Sequence, residues 1–153
     1  MLKISKRTFL WPTTGLLTLS LFSGFNRVMA GWQKELFSQP SADNLISSLT
    51  NNAELTVSNA IHIKAPEIAE NGAVVPITVN ASIKNVNKIS ILVDNNPSPL
   101  TSSYDIHPQI EAYVSTRVKM AKSSNIIAIV STTDNQFFTA SKSIKVTIGG
   151  CGG

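Results

Sequence analysis

The sequence predicts an all-β fold, an immunoglobulin-like antiparallel β-sandwich that follows one or two short helices. After Asn52, apolar and polar residues alternate with a period of two, and the apolar positions are rich in β-branched residues. Turn-forming residues such as Asn71-Gly72 and Asn95-Asn96-Pro97 separate these runs at short intervals. Short strands at this regular spacing are typical of a sandwich of immunoglobulin type.

The β-rich part contains seven candidate strands. In the last of them Ile144, Val146 and Ile148 alternate with Lys145 and Thr147, which predicts one apolar and one solvated face. This final strand could be interrupted near its middle, and it anchors whatever follows it. The candidate strands are residues 54–57, 61–64, 74–82, 89–93, 111–118, 126–131 and 136–148.

The region from residue 31 to about residue 52 has a helical pattern instead. Trp32 is followed by Leu36 and Phe37, and a second start at Ser41 precedes three apolar residues at spacings of three and four, Leu45, Ile46 and Leu49. We predict that these helices pack an apolar stripe against the β-sandwich. A chain of 153 residues suits one domain with a modest core, which we place at residues 31–148.

The net charge of +4 does not indicate a nucleic-acid partner, because it comes from one end of the chain. Residues 1–30 contain four of the 13 basic residues and no acidic residue. The remaining nine basic residues are matched by nine acidic ones, so the charge of residues 31–153 is zero. A basic surface for nucleic acid is therefore not expected.

Residues 1–30 have the layout of an export signal. A cationic start precedes an apolar stretch from about residue 9 to residue 25, and Val28-Met29-Ala30 offers small side chains for cleavage after Ala30. Residues 5–10, SKRTFL, resemble a twin-arginine signal in which lysine replaces the first arginine. An ordinary Sec signal and a membrane anchor are the alternatives, although a span needs about 20 continuous apolar residues. We expect export to the periplasm by the twin-arginine route.

Few residues in the domain could carry catalysis or hold a metal. His62 and His107 have no cysteine or paired carboxylate at metal-ligand spacing. Asp94 and Asp105 adjoin turn-forming residues, where aspartate usually bonds to the backbone. We therefore predict neither a cofactor nor a metal site, and we do not expect the chain to be an enzyme.

The last five residues are the exception. Cys151, the single cysteine of the chain, stands between Gly149-Gly150 and Gly152-Gly153. Glycine has no Cβ, so we expect residues 149–153 to form a thin, pliable arm. At about 3.3–3.6 Å per residue, the three steps from Ile148 to Cys151 span about 10 Å, which would let the thiol enter a narrow active site on another protein.

Other interpretations of this segment remain open. Exported proteins usually contain cysteines in pairs, so a single thiol is either reactive or forms an intermolecular disulfide, as in an exported immunoglobulin-like binding or structural subunit. An incidental cysteine is a further alternative. The pair Gly152-Gly153 also resembles the end of ubiquitin-like sulfur carriers, but those are activated in the cytoplasm and the export signal argues against them.

The sequence resembles the SoxY family, the sulfur-carrying subunits of the periplasmic thiosulfate-oxidising Sox system. The resemblance runs along nearly the whole chain after the signal, and its most specific part is the Gly-Gly-Cys-Gly-Gly segment. Four stretches carry it, residues 66–76 (PEIAENGAVVP), 91–100 (ILVDNNPSPL), 116–121 (TRVKMA) and 145–153 (KVTIGGCGG).

The resemblance implies that sulfur intermediates stay covalently bound to Cys151 while partner proteins act on them. A haem-containing cytochrome would couple thiosulfate to the thiol, a hydrolase would release sulfate, and a sulfur dehydrogenase, where present, would oxidise the remaining sulfur. It also implies a tight heterodimer with SoxZ, a second small β-sandwich protein. Haems and metals would belong to the partners, and this chain would carry no cofactor.

Overall fold

The computed structural model describes residues 34–107 and 109–148, which form two short helices and nine β-strands in two sheets. The helices are α1 (Lys34–Phe37) and α2 (Ala42–Thr50). The strands are β1 (Leu55–Val57), β2 (Ile61–Lys64), β3 (Ile68–Ala69), β4 (Val75–Ala81), β5 (Val86–Val93), β6 (Leu100–Asp105), β7 (Ala112–Val118), β8 (Ser124–Thr132) and β9 (Phe137–Val146).

The larger sheet has the strand order β1-β9-β8-β5-β6, and β3 also pairs with β9. The pairs β9–β8, β8–β5 and β5–β6 are antiparallel, whereas β1 and β3 run parallel to β9 at two places along it. The chain leaves this sheet after β1, contributes β2 to the smaller sheet and returns as β3. The smaller sheet, β2-β4-β7, is antiparallel.

The main core lies between the two sheets and follows from the period-two pattern of the strands. In β4, Val75, Ile77 and Val79 are buried, while Pro76 between them is exposed. Val114 and Val118 of β7, the neighbour of β4 in the smaller sheet, are buried in the same layer. Strands β5, β8 and β9 of the larger sheet contribute the facing layer, whose buried members include Ile89, Ile91, Val93, Ile126, Ala128, Val130 and Ile144.

A second, smaller core lies on the other face of the large sheet, beneath the helices. Leu45 of α2 is fully buried and clusters with Leu92, Leu100 and Ile129. Strand β5 is consequently covered on both faces, which explains its continuous buried run from Ile89 to Val93. The predicted packing of an apolar helical stripe on the sandwich is confirmed for α2.

The prediction of an all-β, immunoglobulin-like sandwich is confirmed, with two corrections. Strands β3 and β6 were not predicted, because β3 has two residues and β6, with the sequence LTSSYD, lacks an apolar alternation. The sandwich is also not purely antiparallel, since β1 and β3 pair parallel with β9. Among the described residues no helix is long and apolar enough to cross a membrane.

The predicted final strand, residues 136–148, also needs correction. β9 is continuous rather than interrupted, and it ends at Val146. Its pairing with β8 stops at Ile144, after which the chain bonds to β3 on its other side. Ile148 therefore lies beyond the strand, with its side chain 66% exposed. The predicted signal (1–30) and arm (149–153) fall outside the described residues.

Candidate functional site

Cys151 and the four glycines of the predicted arm, Gly149, Gly150, Gly152 and Gly153, lie outside the described residues. The structure describes the chain as far as Ile148, three residues before the cysteine. The described part of the candidate site is therefore the attachment point of the arm. We call residues 145–148 the arm base.

The segment from residue 67 to residue 72 runs alongside the arm base and bonds to it. β3 supplies the parallel pairs Ile68↔Lys145 and Ala69↔Val146, and the bonding continues past the end of both strands. The backbone and side-chain bonds are Lys145 N to Glu67 O (2.9 Å), Thr147 N to Ala69 O (3.1 Å), Thr147 Oγ1 to Glu70 O (2.9 Å) and Gly72 N to Ile148 O (2.8 Å).

The loop after β7 holds the arm base from a second direction. The backbone N–H of Val146 donates to Ser123 Oγ at 2.9 Å. The loop is itself bonded to the turn after β5, because Asn95 Nδ2 donates to Ser123 O at 3.2 Å and Asn95 N donates to Ser124 Oγ at 2.9 Å. Val146 is thus held by a serine whose own backbone is anchored.

Asn96 connects the same turn to the beginning of that loop. Its Nδ2 donates to Lys119 O at 2.6 Å, and its Oδ1 accepts from Ala121 N at 2.9 Å. Between these two residues, the N–H of Met120 donates to Gly72 O at 2.7 Å, and the Met120 side chain is fully buried. Three loops and the end of β9 therefore meet as one hydrogen-bonded cluster.

A lysine on β9 secures the crossing of the chain between the sheets. Lys142 Nζ donates to Ala65 O at 2.8 Å, just before Pro66 and β3. β3 has only two residues and two ladder positions of its own. The bond from Lys142 therefore contributes to keeping β3 in register against the arm base.

The four stretches that resemble the SoxY family converge at this end of the domain. The first supplies β3 and Gly72, the second supplies Asn95 and Asn96, the third supplies Lys119 to Ala121, and the fourth is the arm base itself. Sequence reasoning treated Asn71-Gly72 and Asn95-Asn96-Pro97 as turn chemistry only. Their convergence around Val146 indicates that they also position the arm base.

The histidines and aspartates considered for chemistry are dispersed and have local roles. His62 is exposed on β2, and His107 Nδ1 accepts from Gln109 N at 3.3 Å. Asp105 pairs with Lys88 at 3.2 Å, and Asp94 Oδ2 accepts from Asn125 Nδ2 at 3.4 Å. Within residues 34–107 and 109–148, no group of three or more His, Cys, Asp or Glu could hold a metal ion.

The comparison with protein families matches residues 46–151 to the model described as sulfur oxidation protein SoxY. Among solved structures, the sulfur carrier protein SoxY from Chlorobium limicola f. thiosulfatophilum matches at 42% identity with a TM-score of 0.64, over 69% of this chain and 96% of that chain. No curated protein sequence matches this chain.

More distant matches are superoxide reductases (neelaredoxins). The protein from Ignicoccus hospitalis matches at 17% identity and a TM-score of 0.48, over 75% of this chain and 98% of that chain. A variant of the Archaeoglobus fulgidus protein matches at 11% identity and a TM-score of 0.44, over 56% and 87% respectively. The family model covers more than half of the chain, and the SoxY structure matches along nearly its entire length. This chain therefore belongs to the SoxY family.

Proposed function

We propose that this protein is a sulfur carrier in thiosulfate oxidation, and that it holds the sulfur covalently on Cys151. Membership of the SoxY family supports the carrier role. The observation that carries the assignment to Cys151 is its position, because the single thiol of the chain lies three residues beyond an arm base that three loops hold in place.

Each step of the proposed cycle changes the group on Cys151 and leaves the carrier protein itself intact. In loading, the thiol loses its proton and a bond forms between Sγ and the outer sulfur of thiosulfate, which gives Cys–S–S–SO₃⁻ and passes two electrons to a haem-containing partner. Hydrolysis then consumes one water, releases sulfate and two protons, and leaves a persulfide on the cysteine. The partners perform the chemistry, so the carrier is not an enzyme.

We further propose that the carrier works as a heterodimer with SoxZ and is loaded by the cytochrome and unloaded by the hydrolase of the Sox system. A sulfur dehydrogenase would act on the persulfide where an organism has one. Membership of the SoxY family supports this proposal. The haems and metals of the cycle belong to these partners.

The carrier function can be tested by reconstitution with purified cytochrome, hydrolase and SoxZ. We expect the Cys151→Ser variant to co-elute with SoxZ in gel filtration but to support no thiosulfate-dependent reduction of the haem. If Cys151 served instead as an intermolecular crosslink, the variant would lose a covalent dimer and leave thiosulfate oxidation unchanged. A ubiquitin-like mechanism would tolerate Cys151→Ser but fail when Gly153 is deleted.

We also propose that residues 1–30 direct export to the periplasm by the twin-arginine route, on the basis of Lys6-Arg7 before a diluted apolar stretch. Replacing Arg7 by lysine, which keeps the positive charge, should then leave the precursor in the cytoplasm. Lys3→Arg, an equally conservative change elsewhere in the segment, is the control and should leave export unchanged. Normal processing of the Arg7→Lys variant would contradict this route and favour Sec export.

A further inference from the structure

We infer that the surface around the arm base is where the enzymes that act on Cys151 dock. This docking surface consists of the apolar side chains of Ile68, Val74 and Ile148, with Lys119 and Lys122 at its rim. Its occupant is an enzyme whose active-site entrance has an apolar lip and acidic residues facing the two lysines. The inference rests on the proposed carrier function and adds the surface through which that function operates.

Three large apolar side chains are exposed at one end of the domain. Ile68, Val74 and Ile148 are 57%, 54% and 66% exposed. Ile68 pairs with Lys145 in the arm base, and Val74 follows shortly after Gly72, whose N–H bonds to Ile148 O. Exposed apolar side chains that gather at a functional position commonly mark an interaction site.

The tether between the arm base and the thiol is short. Two glycines lie between Ile148 and Cys151, so over three residue steps the Cα of the cysteine lies no more than about 11 Å from that of Ile148. An enzyme that reacts with Sγ must therefore bring its own surface against the arm base. Contact with this part of the domain follows from covalent geometry, whichever way the arm points.

The same geometry excludes other exposed apolar side chains from this contact. Val57 is 78% exposed, but its pairing partner in β9 is Thr139. Thr139 lies seven residues before Val146, which corresponds to about 23 Å along the strand. Ile110 is 60% exposed and lies close in sequence to Ala112, which pairs with Ala81 at one end of the small sheet. The opposite end of that sheet, where Val75 pairs with Val118, is the one nearer the arm base.

Charge is unevenly distributed around the arm base. The loop after β7 carries exposed Lys119 and Lys122, whereas the opposite side, along β3, carries exposed Glu67 and Glu70 beside Lys145. Charges at the rim of an interface contribute mainly to association rate and orientation. We expect this arrangement to orient the enzyme, while the apolar side chains supply most of the affinity.

The test compares two double variants of the full mature chain, both purified in complex with SoxZ. Ile68→Ser/Val74→Ser changes the docking surface, and Val57→Ser/Ile110→Ser is the matched control of similarly exposed apolar residues. The assay is thiosulfate-dependent reduction of the purified haem enzyme at increasing carrier concentration. The rate at which a small maleimide labels Cys151 measures whether the thiol itself has changed.

We expect the docking variant to raise KM for the carrier by about tenfold, as truncation of central apolar contacts typically does, with kcat and maleimide labelling within about twofold of the unsubstituted protein. The control should behave as the unsubstituted protein. Equal KM values for the two variants would overturn the docking surface while leaving the carrier function intact.

Two other results would also decide the matter. Loss of SoxZ from the Ile68→Ser/Val74→Ser variant in gel filtration would assign this surface to the subunit interface and overturn the proposal. If the unsubstituted protein is not loaded at all, the carrier function itself fails, and the docking surface fails with it.

Replacing Lys119 and Lys122 by alanine should lower the association rate and weaken its salt dependence, and an unchanged salt dependence would contradict the role of the rim.

Discussion

The backbone N–H of Val146 donates a hydrogen bond of 2.9 Å to Ser123 Oγ, which joins the last residue of β9 to a loop 23 positions earlier in the chain. Val146 has already passed the end of the β8–β9 ladder, where the last pair is Ser124↔Ile144. The serine therefore continues the support of β9 beyond the point at which the neighbouring strand stops.

Replacing Ser123 by alanine should loosen the arm base without unfolding the domain. One hydrogen bond contributes about 0.5–1.5 kcal/mol, and we expect a loss of stability in the lower part of this range because Ser123 is exposed. The specific effect should be faster amide hydrogen exchange at Val146. Ser143→Ala, an exposed serine on β9, is the control, and unchanged protection of Val146 would contradict the role of Ser123.

Replacing Asn96 by alanine should destabilise the domain more strongly. The side chain both donates to Lys119 O and accepts from Ala121 N, so the substitution removes two hydrogen bonds and leaves two backbone groups unpaired. We expect a decrease of about 1–3 kcal/mol in the free energy of unfolding, measured by urea denaturation. Asn125→Ala removes only a long contact of 3.4 Å to Asp94 and should be nearly neutral.

Equal destabilisation by Asn96→Ala and Asn125→Ala would show that the turn after β5 does not depend on the asparagine bridge. The same measurement can be extended to the arm base. Because the Asn96 bridge holds the loop that contains Ser123, the Asn96→Ala variant should also increase exchange at Val146, whereas the Asn125→Ala variant should not.

Sequence patterns predicted those parts of the fold in which one face of a strand is buried. Residues 61–64 were predicted and observed as β2, and the predicted strand at 74–82 differs from β4 by one residue at each end. The two strands that were not predicted, β3 and β6, form because they pair with β9 and β5. β6 is an edge strand with one buried residue, Leu100, and it is held by its ladder with β5 and by Thr101 Oγ1 bonding to Ile91 O.

In the candidate site, too, some residues can be recognised from the sequence and others cannot. Cys151 stands out in the sequence because a single thiol among four glycines is a chemical signal. The roles of Ser123 and Asn96 are not visible there, because Ser-Ser and Asn-Asn-Pro are ordinary turn residues. Their importance depends on which loop lies beside Val146, and a parallel pairing such as β3 with β9 joins residues 77 positions apart.

The packing of α2 on the large sheet gives a prediction about stability alone. Leu45 is fully buried among Leu92, Leu100 and Ile129, on the face of the sheet opposite the main core. Leu45→Ala should lower the free energy of unfolding by about 2–5 kcal/mol, while Ile46→Ala, at a half-buried position, should cost less. A cost below about 1 kcal/mol for Leu45→Ala would contradict this packing.

The central claim is that Cys151 carries thiosulfate-derived sulfur, and the most direct test is the intact mass of the mature protein from cells grown on thiosulfate. We predict an added mass of sulfur or of a thiosulfonate group that a thiol reductant removes and that a Cys151→Ser control lacks. An unmodified thiol, or only a symmetric disulfide between two copies of the chain, would contradict the account.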